Sequence, residues 1–283
     1  MLHWKCMFPS IAIFDPAGPI ALGERSVIIE TFLLSTLVIV PVFFMLGYFA
    51  WRYRASNEAS ADAHHPEWDH TSPLAEITWW LVPAAIIAVL SVVAWKSSHA
   101  LDPYVPLPGN ELVVQVVALD WKWLFIYPAQ GVASVNELEI PVNTPVHFYL
   151  TGDAPINTFW VPQLAGQIMV MPGMTTQLNF EATRTGNFNG LSGNISGKGF
   201  SGMTFTVKAV PQEDFDTWVA AIQESHNPLT QDTYAALAAP STDVPVSYYA
   251  PVENGLYTAV AAKYMSATST HTPDAMGGMQ MTP

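Results

Sequence analysis

Two long apolar runs lie near the start of the chain. Residues 31–51 are 21 consecutive residues without a charged side chain, and residues 77–95 are a further 19. Each length is close to the roughly 20 residues that an α-helix needs to cross the hydrocarbon core of a bilayer. Both runs are apolar all round, so they predict two transmembrane helices; two buried core helices are the alternative.

After residue 100 the hydrophobic pattern changes to the short period of β-strands. Apolar or β-branched residues recur in the runs 112–118, 144–151, 174–183 and 204–210. Turn-forming segments separate them, namely "VNTP" at 142–145, "MPGM" at 171–174 and "RTGN" at 184–187. Proline, glycine and asparagine at such spacing predict a compact antiparallel β-sandwich.

Beyond Pro211 the period becomes helical. One stripe of "EDFDTWVAAIQ" carries Phe215, Trp218, Val219 and Ile222, and a second short helix is predicted over 232–239. The last residues are small and polar, so we expect no packed structure there. The predicted organisation is a periplasmic segment 1–25, a helix hairpin 26–99, a β domain 100–210, a helical extension 211–265 and a disordered tail 266–283.

Charge indicates how the chain is oriented. Arg52 and Arg54 directly follow the first run, which places the loop 52–76 in the cytoplasm and both chain ends in the periplasm of a bacterial inner membrane. Residues 97–283 hold 5 basic and 15 acidic side chains, a net charge of −10. An acidic domain of this kind argues against nucleic acid as a partner; it fits either a basic protein partner or simple solubility.

The chain holds one cysteine, Cys6, so an intrachain disulfide is excluded. A cysteine near the start of an exported chain suggests lipidation, but His3, Trp4 and Lys5 are not the small residues of such a cleavage site. Either the chain starts upstream or Cys6 is an ordinary thiol, and we favour the thiol.

Two groups of histidines and methionines could hold metal. His64, His65 and His70 lie in the loop 52–76 with Glu67 and Asp69, where a solvated polar loop is the favoured interpretation. The tail residues His271, Met276, Met279 and Met281 are soft ligands for copper, although a disordered end is the first interpretation.

The segment "GLSGNISGKGFSGM", residues 190–203, resembles a phosphate-binding loop only superficially. The pattern of that loop requires glycine at Ser192 and a hydroxyl residue at Gly199, and no βαβ unit surrounds the segment. Nucleotide binding is therefore excluded. Two acidic residues, Glu30 and Glu76, lie at span ends, where they mark either a proton path or a carboxylate in the headgroup layer.

Motifs over residues 13–260 together resemble subunit II of the haem-copper terminal oxidases. They include "IFDPAGPI", "GERS", "WRYRASN", "EITWWLVPAAI", "WKSSHALDP", "ALDWKWLFIYPAQGVASVNEL", "NTFWVPQLAGQI" and "MPGM". The resemblance implies a membrane-anchored hairpin of two transmembrane helices followed by an all-β cupredoxin-like Greek-key sandwich with short C-terminal helices.

In this family the cytochrome c oxidases bind a dinuclear copper centre through an upstream histidine and a C-x-E-x-C-x-x-x-H-x-x-M loop. That loop falls on residues 192–203 here. The matching positions hold Asn157, Ser192, Asn194, Ser196, Phe200 and Met203, of which only the methionine is a ligand of the family. Bridging thiolates are missing, so we expect no metal in this chain.

In lacking these copper ligands, the chain resembles the quinol-oxidising, bo-type branch of the family. It implies a subunit without catalytic residues in a proton-pumping ubiquinol oxidase, which oxidises quinol and reduces oxygen to water. Haem groups and one copper would lie in subunit I, with further small membrane subunits, lipids and ubiquinol as partners and no docking of cytochrome c. Glu76, seven residues before Pro83, matches a proton-entry glutamate. The alternatives are a cytochrome c oxidase subunit II and a free-standing membrane-anchored copper-binding or assembly protein.

Overall fold

The computed structural model describes residues 12–54, 56 and 73–264. Cys6, the histidines of the loop 52–76, and the tail with His271 lie outside the described residues. The described chain forms two compact units, one from Gly23–Asp102 and the other from the residues on either side of it.

The first unit consists of two long apolar helices. Helix α1 covers Pro19–Arg52 and helix α2 covers Pro73–Ala100. At about 1.5 Å per residue, α1 is roughly 51 Å long, which exceeds a hydrocarbon core of about 30 Å. The helices therefore continue past the predicted spans 31–51 and 77–95. Their most apolar windows are not buried within the molecule, which contradicts the alternative of two buried core helices.

The second unit is a sandwich of two β-sheets. The first sheet has six strands in the order β11-β3-β2-β1-β5-β8, and the second has five in the order β4-β10-β9-β6-β7. The strands are β1 Leu112–Leu119, β2 Lys122–Tyr127, β3 Val132–Val135, β4 Glu137–Pro141, β5 Val146–Gly152, β6 Asn157–Val161, β7 Ala165–Val170, β8 Thr176–Phe180, β9 Gly186–Ser192, β10 Thr204–Val210 and β11 Ser247–Tyr249.

The sheets are mixed rather than antiparallel. Strand β1 pairs in parallel with β5, from Leu112 opposite Val146 to Ala118 opposite Gly152, and β10 pairs in parallel with β4. The expectation of a purely antiparallel fold was wrong because β1 and β5, and likewise β4 and β10, are joined by connections long enough for a parallel return. Turn residues mark where the chain reverses but not which strand it meets next.

Apolar side chains cover both faces of the six-stranded sheet. Between the sheets, Trp123, Phe125, Phe148, Phe159 and Phe205 form an aromatic core. A second cluster covers the opposite face and includes Val117, Leu124, Leu229, Tyr234, Leu256 and Val260. Burial on both faces explains why "WLFIY" in β2 reads as a continuous apolar run instead of alternating.

Among the described residues, three helices lie C-terminal to β10: α3 Gln212–Gln223, α4 Gln231–Ala238 and α5 Leu256–Ala262. In α3, Phe215 and Ile222 are buried, and Trp218 and Val219 pack against the core between the sheets, as the helical stripe predicts. Neither β11 nor α5 was predicted from the sequence.

The segment before α1 packs on the sandwich. The Ala17 amide donates to the Gln163 carbonyl at 2.7 Å, and the Thr183 amide donates to the Ala17 carbonyl at 2.8 Å. Asp15 forms an ion pair with Arg184 at 2.7 Å. Residues 15–17 are thus a fixed part of the second unit.

Candidate functional site: the loop between β9 and β10

The loop 193–203 joins the antiparallel neighbours β9 and β10 and lies beside the first residues of β6. Its two ends are joined by a hydrogen bond from the Ser192 amide to the Met203 carbonyl at 3.2 Å. The Gly193 amide also donates to the Thr158 carbonyl at 3.0 Å. The sheet therefore brings the predicted upstream position, Asn157, next to the predicted loop positions.

Asn157 and Ser192 form a closed, buried hydrogen-bond pair. The Ser192 hydroxyl donates to Oδ1 of Asn157 at 3.0 Å, and the Asn157 amide group donates to the Pro155 carbonyl at 2.8 Å. The two residues are 3% and 1% exposed. Each polar group of the two side chains thus has a hydrogen-bond partner, which makes their burial stable.

The remaining sequence-predicted positions fall into different environments. Asn194 is exposed and its amide donates to the Ile156 carbonyl at 2.8 Å, which ties it to the same edge of β6. Ser196 and Phe200 are half-buried. Met203 is 1% exposed, and its side chain belongs to the core between the sheets. The structure thus groups Asn157, Ser192 and Asn194.

Trp121 is a residue of the site that sequence reasoning missed. It lies in the turn between β1 and β2 with φ of 60°, and its indole N–H donates to the Ser196 carbonyl at 3.2 Å. A Cβ on Gly199 would lie 2.4 Å from Cγ of Trp121, and Gly197 has φ of +115°. Glycine is needed at these two positions because the indole and the left-handed backbone leave no room for a side chain.

The C-terminal extension covers the other side of the loop. A Cβ on Gly199 would also lie 2.8 Å from Cγ2 of Thr242, and one on Gly202 would lie 2.9 Å from Oδ1 of Asp243. The segment 239–244 therefore contacts the loop directly. No local signal in the sequence connects residues that lie about 40 positions apart.

Lys122 holds this covering segment in place. Its ammonium group donates to the Ala239 carbonyl at 2.8 Å and to the Ser241 hydroxyl, and the residue is 1% exposed. Burial lowers the pKa of Lys122, and the nearby Asp120 carboxylate opposes that shift. Asn136 adds a bond from its amide group to the Val244 carbonyl at 2.8 Å.

Glu76 lies in the other unit, in the first turn of α2. It is exposed and borders a shallow depression of about 520 Å³ with Ile77, Trp80, Leu81 and Ala84. The spacing 76, 80 and 84 places these side chains on one face of the helix. The Glu76 carboxyl group thus lies at the N-terminal end of an otherwise apolar stripe of α2.

Within residues 12–54, 56 and 73–264, no three histidine, cysteine, aspartate or glutamate side chains come together as metal ligands. At the six predicted positions the side chains offer two hydroxyls, two amides, a phenyl ring and one thioether. Hydroxyl and amide oxygens are hard, neutral ligands, in contrast to the soft thiolates that copper prefers.

Comparison with known proteins agrees with this architecture. Residues 128–210 match the family described as "Cytochrome C oxidase subunit II, periplasmic domain", and residues 223–267 match the "COX Aromatic Rich Motif". The sandwich is thus a cupredoxin-like domain of that family, and the covering segment 239–244 belongs to the aromatic-rich motif. The periplasmic domain of cytochrome oxidase subunit II of Bradyrhizobium japonicum is 26% identical over 42% of this chain and 97% of that domain, with a TM-score of 0.40.

Curated relatives extend the likeness to nearly the whole chain. Cytochrome bo(3) ubiquinol oxidase subunit 2 of Pseudomonas aeruginosa is 42% identical over 93% of this chain and 81% of its own length. The corresponding subunit of Pseudomonas putida is 44% identical over 89% and 80%, and ubiquinol oxidase subunit 2 of Acetobacter aceti is 43% identical over 89% and 82%. The chain therefore belongs to the haem-copper oxidase subunit II family, in its bo-type ubiquinol oxidase branch.

Proposed function

We propose that this chain is the subunit of a proton-pumping ubiquinol oxidase that carries no redox group of its own. The hydrogen bond between Ser192 and Asn157 carries the proposal. It occupies the positions where the family's copper-binding members have a thiolate and an imidazole. Two copper ions that share electron density need bridging thiolates, and a serine hydroxyl stays protonated and hard at working pH.

Electrons would then bypass this chain. Relatives named ubiquinol oxidases support quinol as the donor. Quinol in the membrane would pass its electrons to haem and to the haem-copper centre of subunit I, where oxygen is reduced to water. The proposed roles of this chain are to anchor its domain through α1 and α2 and to cover subunit I on the periplasmic side.

The proposed orientation follows from the basic residues at the helix ends. Arg52 ends α1 and Arg54 follows it, which favours the cytoplasm for this end of the hairpin. The guanidinium of Arg54 lies 5.7 Å from the centroid of the Trp51 ring, an aromatic residue of the type enriched at membrane interfaces. The sandwich would then lie in the periplasm.

We also propose Glu76 as a proton-entry residue. It is exposed at the same end of the hairpin as Arg52 and heads the apolar stripe of α2, so water can reach it while a partner packs along Trp80 and Ala84. Glu76→Ala should slow oxygen consumption and proton uptake about tenfold or more, as loss of a positioned acid-base group does. Glu30→Ala, at the opposite membrane boundary, is the control. Turnover that is unchanged in Glu76→Ala would remove the assignment.

The donor specificity of the purified complex tests the main proposal. Oxygen consumption should be fast with ubiquinol and negligible with reduced cytochrome c, and the complex should lack the near-infrared absorption of a dinuclear copper centre. The chain should also co-purify with a large haem-bearing membrane subunit. Faster turnover with cytochrome c would overturn the proposal, and isolation without any haem-bearing partner would favour a free-standing protein.

A further inference from the structure

His147 is a buried histidine that the proposed function does not use. It lies in β5 and is 5% exposed, and neither of its ring nitrogens has a hydrogen-bond partner among the described residues. Most buried polar groups in folded proteins are paired, because leaving one unpaired is unfavourable. An imidazole that is buried without a partner therefore points to an ion or a ligand that its nitrogens can bind.

Glu111 brings a carboxylate to the same imidazole. Its Oε2 lies 3.6 Å from Nδ1 of His147, which is longer than the about 2.9 Å of a normal hydrogen bond. A zinc ion binds an imidazole nitrogen and a carboxylate oxygen at about 2.0–2.2 Å each, and at a tetrahedral angle those two atoms lie roughly 3.4 Å apart. The observed spacing is close to that of two ligands of one zinc ion. The Glu111 side chain is 42% exposed, so an ion can reach it from solvent.

The fold holds the two side chains near each other. Residues 103–111, called the linker here, directly precede β1 and carry Glu111 at their end. Asn179 lies opposite His147 in the pairing of β8 with β5, and its amide group donates to the Pro103 carbonyl at 2.8 Å. The strand pair that positions the imidazole thus also anchors the segment that carries the carboxylate, as outer hydrogen bonds do around metal ligands.

No basic side chain competes for the carboxylate within these segments. The linker and the strands β1, β5 and β8 contain no lysine or arginine, and the one ion contact of Glu111 among the described residues is that with His147. The other titratable side chains of the four segments are Tyr104 and Tyr149. A carboxylate without a fixed positive charge beside it favours a cation over an anion.

We propose that His147 and Glu111 bind a zinc ion whose remaining coordination positions are filled by water. Zinc accepts both imidazole and carboxylate ligands, whereas magnesium and calcium prefer oxygen ligands. Because Glu111 belongs to the linker and His147 to β5, the bound ion joins the linker to the six-stranded sheet. The loop 193–203 joins strands of the other sheet, and the zinc site depends on none of the roles proposed for the chain above.

Local hydrogen exchange tests the site. The purified complex is measured with and without zinc, and the amides of the linker should exchange about fivefold more slowly with zinc, because a bound ion opposes the local opening through which they exchange. The measurement covers this segment alone, so zinc bound to other histidines does not contribute. His147→Gln and Glu111→Gln should each abolish the protection. Protection that is absent from the wild type, or unchanged in either variant, overturns the site.

Control variants separate zinc ligation from general effects. His226→Asn and Glu213→Gln each replace an exposed side chain of the same type elsewhere in the second unit, and both should keep full protection. Glu111→Gln changes an exposed group, so its effect does not arise from a damaged core. Magnesium in place of zinc should give no protection, since it disfavours an imidazole ligand. Equal protection by magnesium would contradict binding through His147.

Discussion

The indole of Trp121 fills the space next to Gly199: a Cβ at position 199 would lie 2.4 Å from Cγ of Trp121. Thr242 closes the same space from the C-terminal extension, 2.8 Å from that Cβ position. The loop 193–203 is therefore shaped by contacts within the protein. We infer that Trp121 and the segment 239–244 fix the geometry of this loop.

Gly199→Ala should loosen this loop. The methyl group meets the rigid indole and must displace it, at a cost of about 1–3 kcal/mol for an overpacked site. Hydrogen exchange of the amides of residues 193–203 in the purified complex should become faster. Gly202→Ala is the control, since its Cβ would meet only the carboxylate end of Asp243, which can rotate away. Equal exchange in Gly199→Ala and wild type would contradict the packing role of Trp121.

Ser192→Ala should lower stability without changing quinol oxidation. The substitution removes the donor to the buried Oδ1 of Asn157, and leaving a buried acceptor unpaired costs about 1–3 kcal/mol. The thermal unfolding midpoint of the complex should fall, while oxygen consumption with ubiquinol stays at the wild-type rate. Ser201→Ala, an exposed serine of the same loop, should change neither quantity. A loss of turnover in folded Ser192→Ala would place the loop on the electron path.

Asp153→Asn should detach the C-terminal helices from the sandwich. The Asp153 carboxylate is buried and accepts hydrogen bonds from Lys263 at 2.7 Å, from Tyr234 at 2.8 Å and from Tyr264. A hydrogen bond to a charged group is worth about 1.5–3 kcal/mol, so amide exchange in α5 should speed up about tenfold or more. Asp232→Asn, an exposed acid in the first turn of α4, serves as the control.

Lowering the pH should detach the C-terminal helices of the wild-type protein in the same way as Asp153→Asn does. Burial alone would raise the pKa of Asp153, but the bonds from Lys263, Tyr264 and Tyr234 lower it below its ordinary value. The folded state therefore gains stability from the ionised carboxylate above about pH 4, and this gain is lost as the pH falls through the lowered pKa. The measurement is amide hydrogen exchange in α5, corrected for the intrinsic exchange rate. A rate that does not change between pH 5 and pH 2.5 would contradict this role of the Asp153 carboxylate.

Glu139 should make the stability of the folded state depend on pH in the opposite direction, and at higher pH. Burial raises its pKa to about 7; Glu137 and Asp214 add to the shift and Lys208 opposes it. The folded state keeps a proton that the unfolded chain has released, so stability falls as the pH rises from about 4.5 to 7. Glu139→Gln should remove that loss, of order 1–3 kcal/mol, and raise the unfolding midpoint at pH 8 but not at pH 4.5. The exposed Glu224→Gln should raise it at neither pH.

Local pattern alone was enough for the parts of the fold that depend on neighbouring residues. Residues 31–51 and 77–95 predict helices because an unbroken apolar run of that length satisfies its backbone only as a helix in lipid. The stripe of Phe215, Trp218 and Ile222 likewise predicts α3, since 3.6-residue spacing is a property of the segment itself. Asn157 and Ser192 could also be singled out, because the motifs around them are continuous in the chain; their assignment as former copper-ligand positions stays a prediction.

The tertiary structure decided which distant residues meet. Trp121 lies against Gly199, Lys122 against Ala239, and Asp153 against Lys263, and each pair is separated by between 75 and 120 positions along the chain. Periodicity reports which face of a segment is apolar but not which segment covers it. The sequence by itself therefore determined the two long apolar helices and the β domain, whereas only the folded chain showed that the C-terminal extension packs on the loop and holds it.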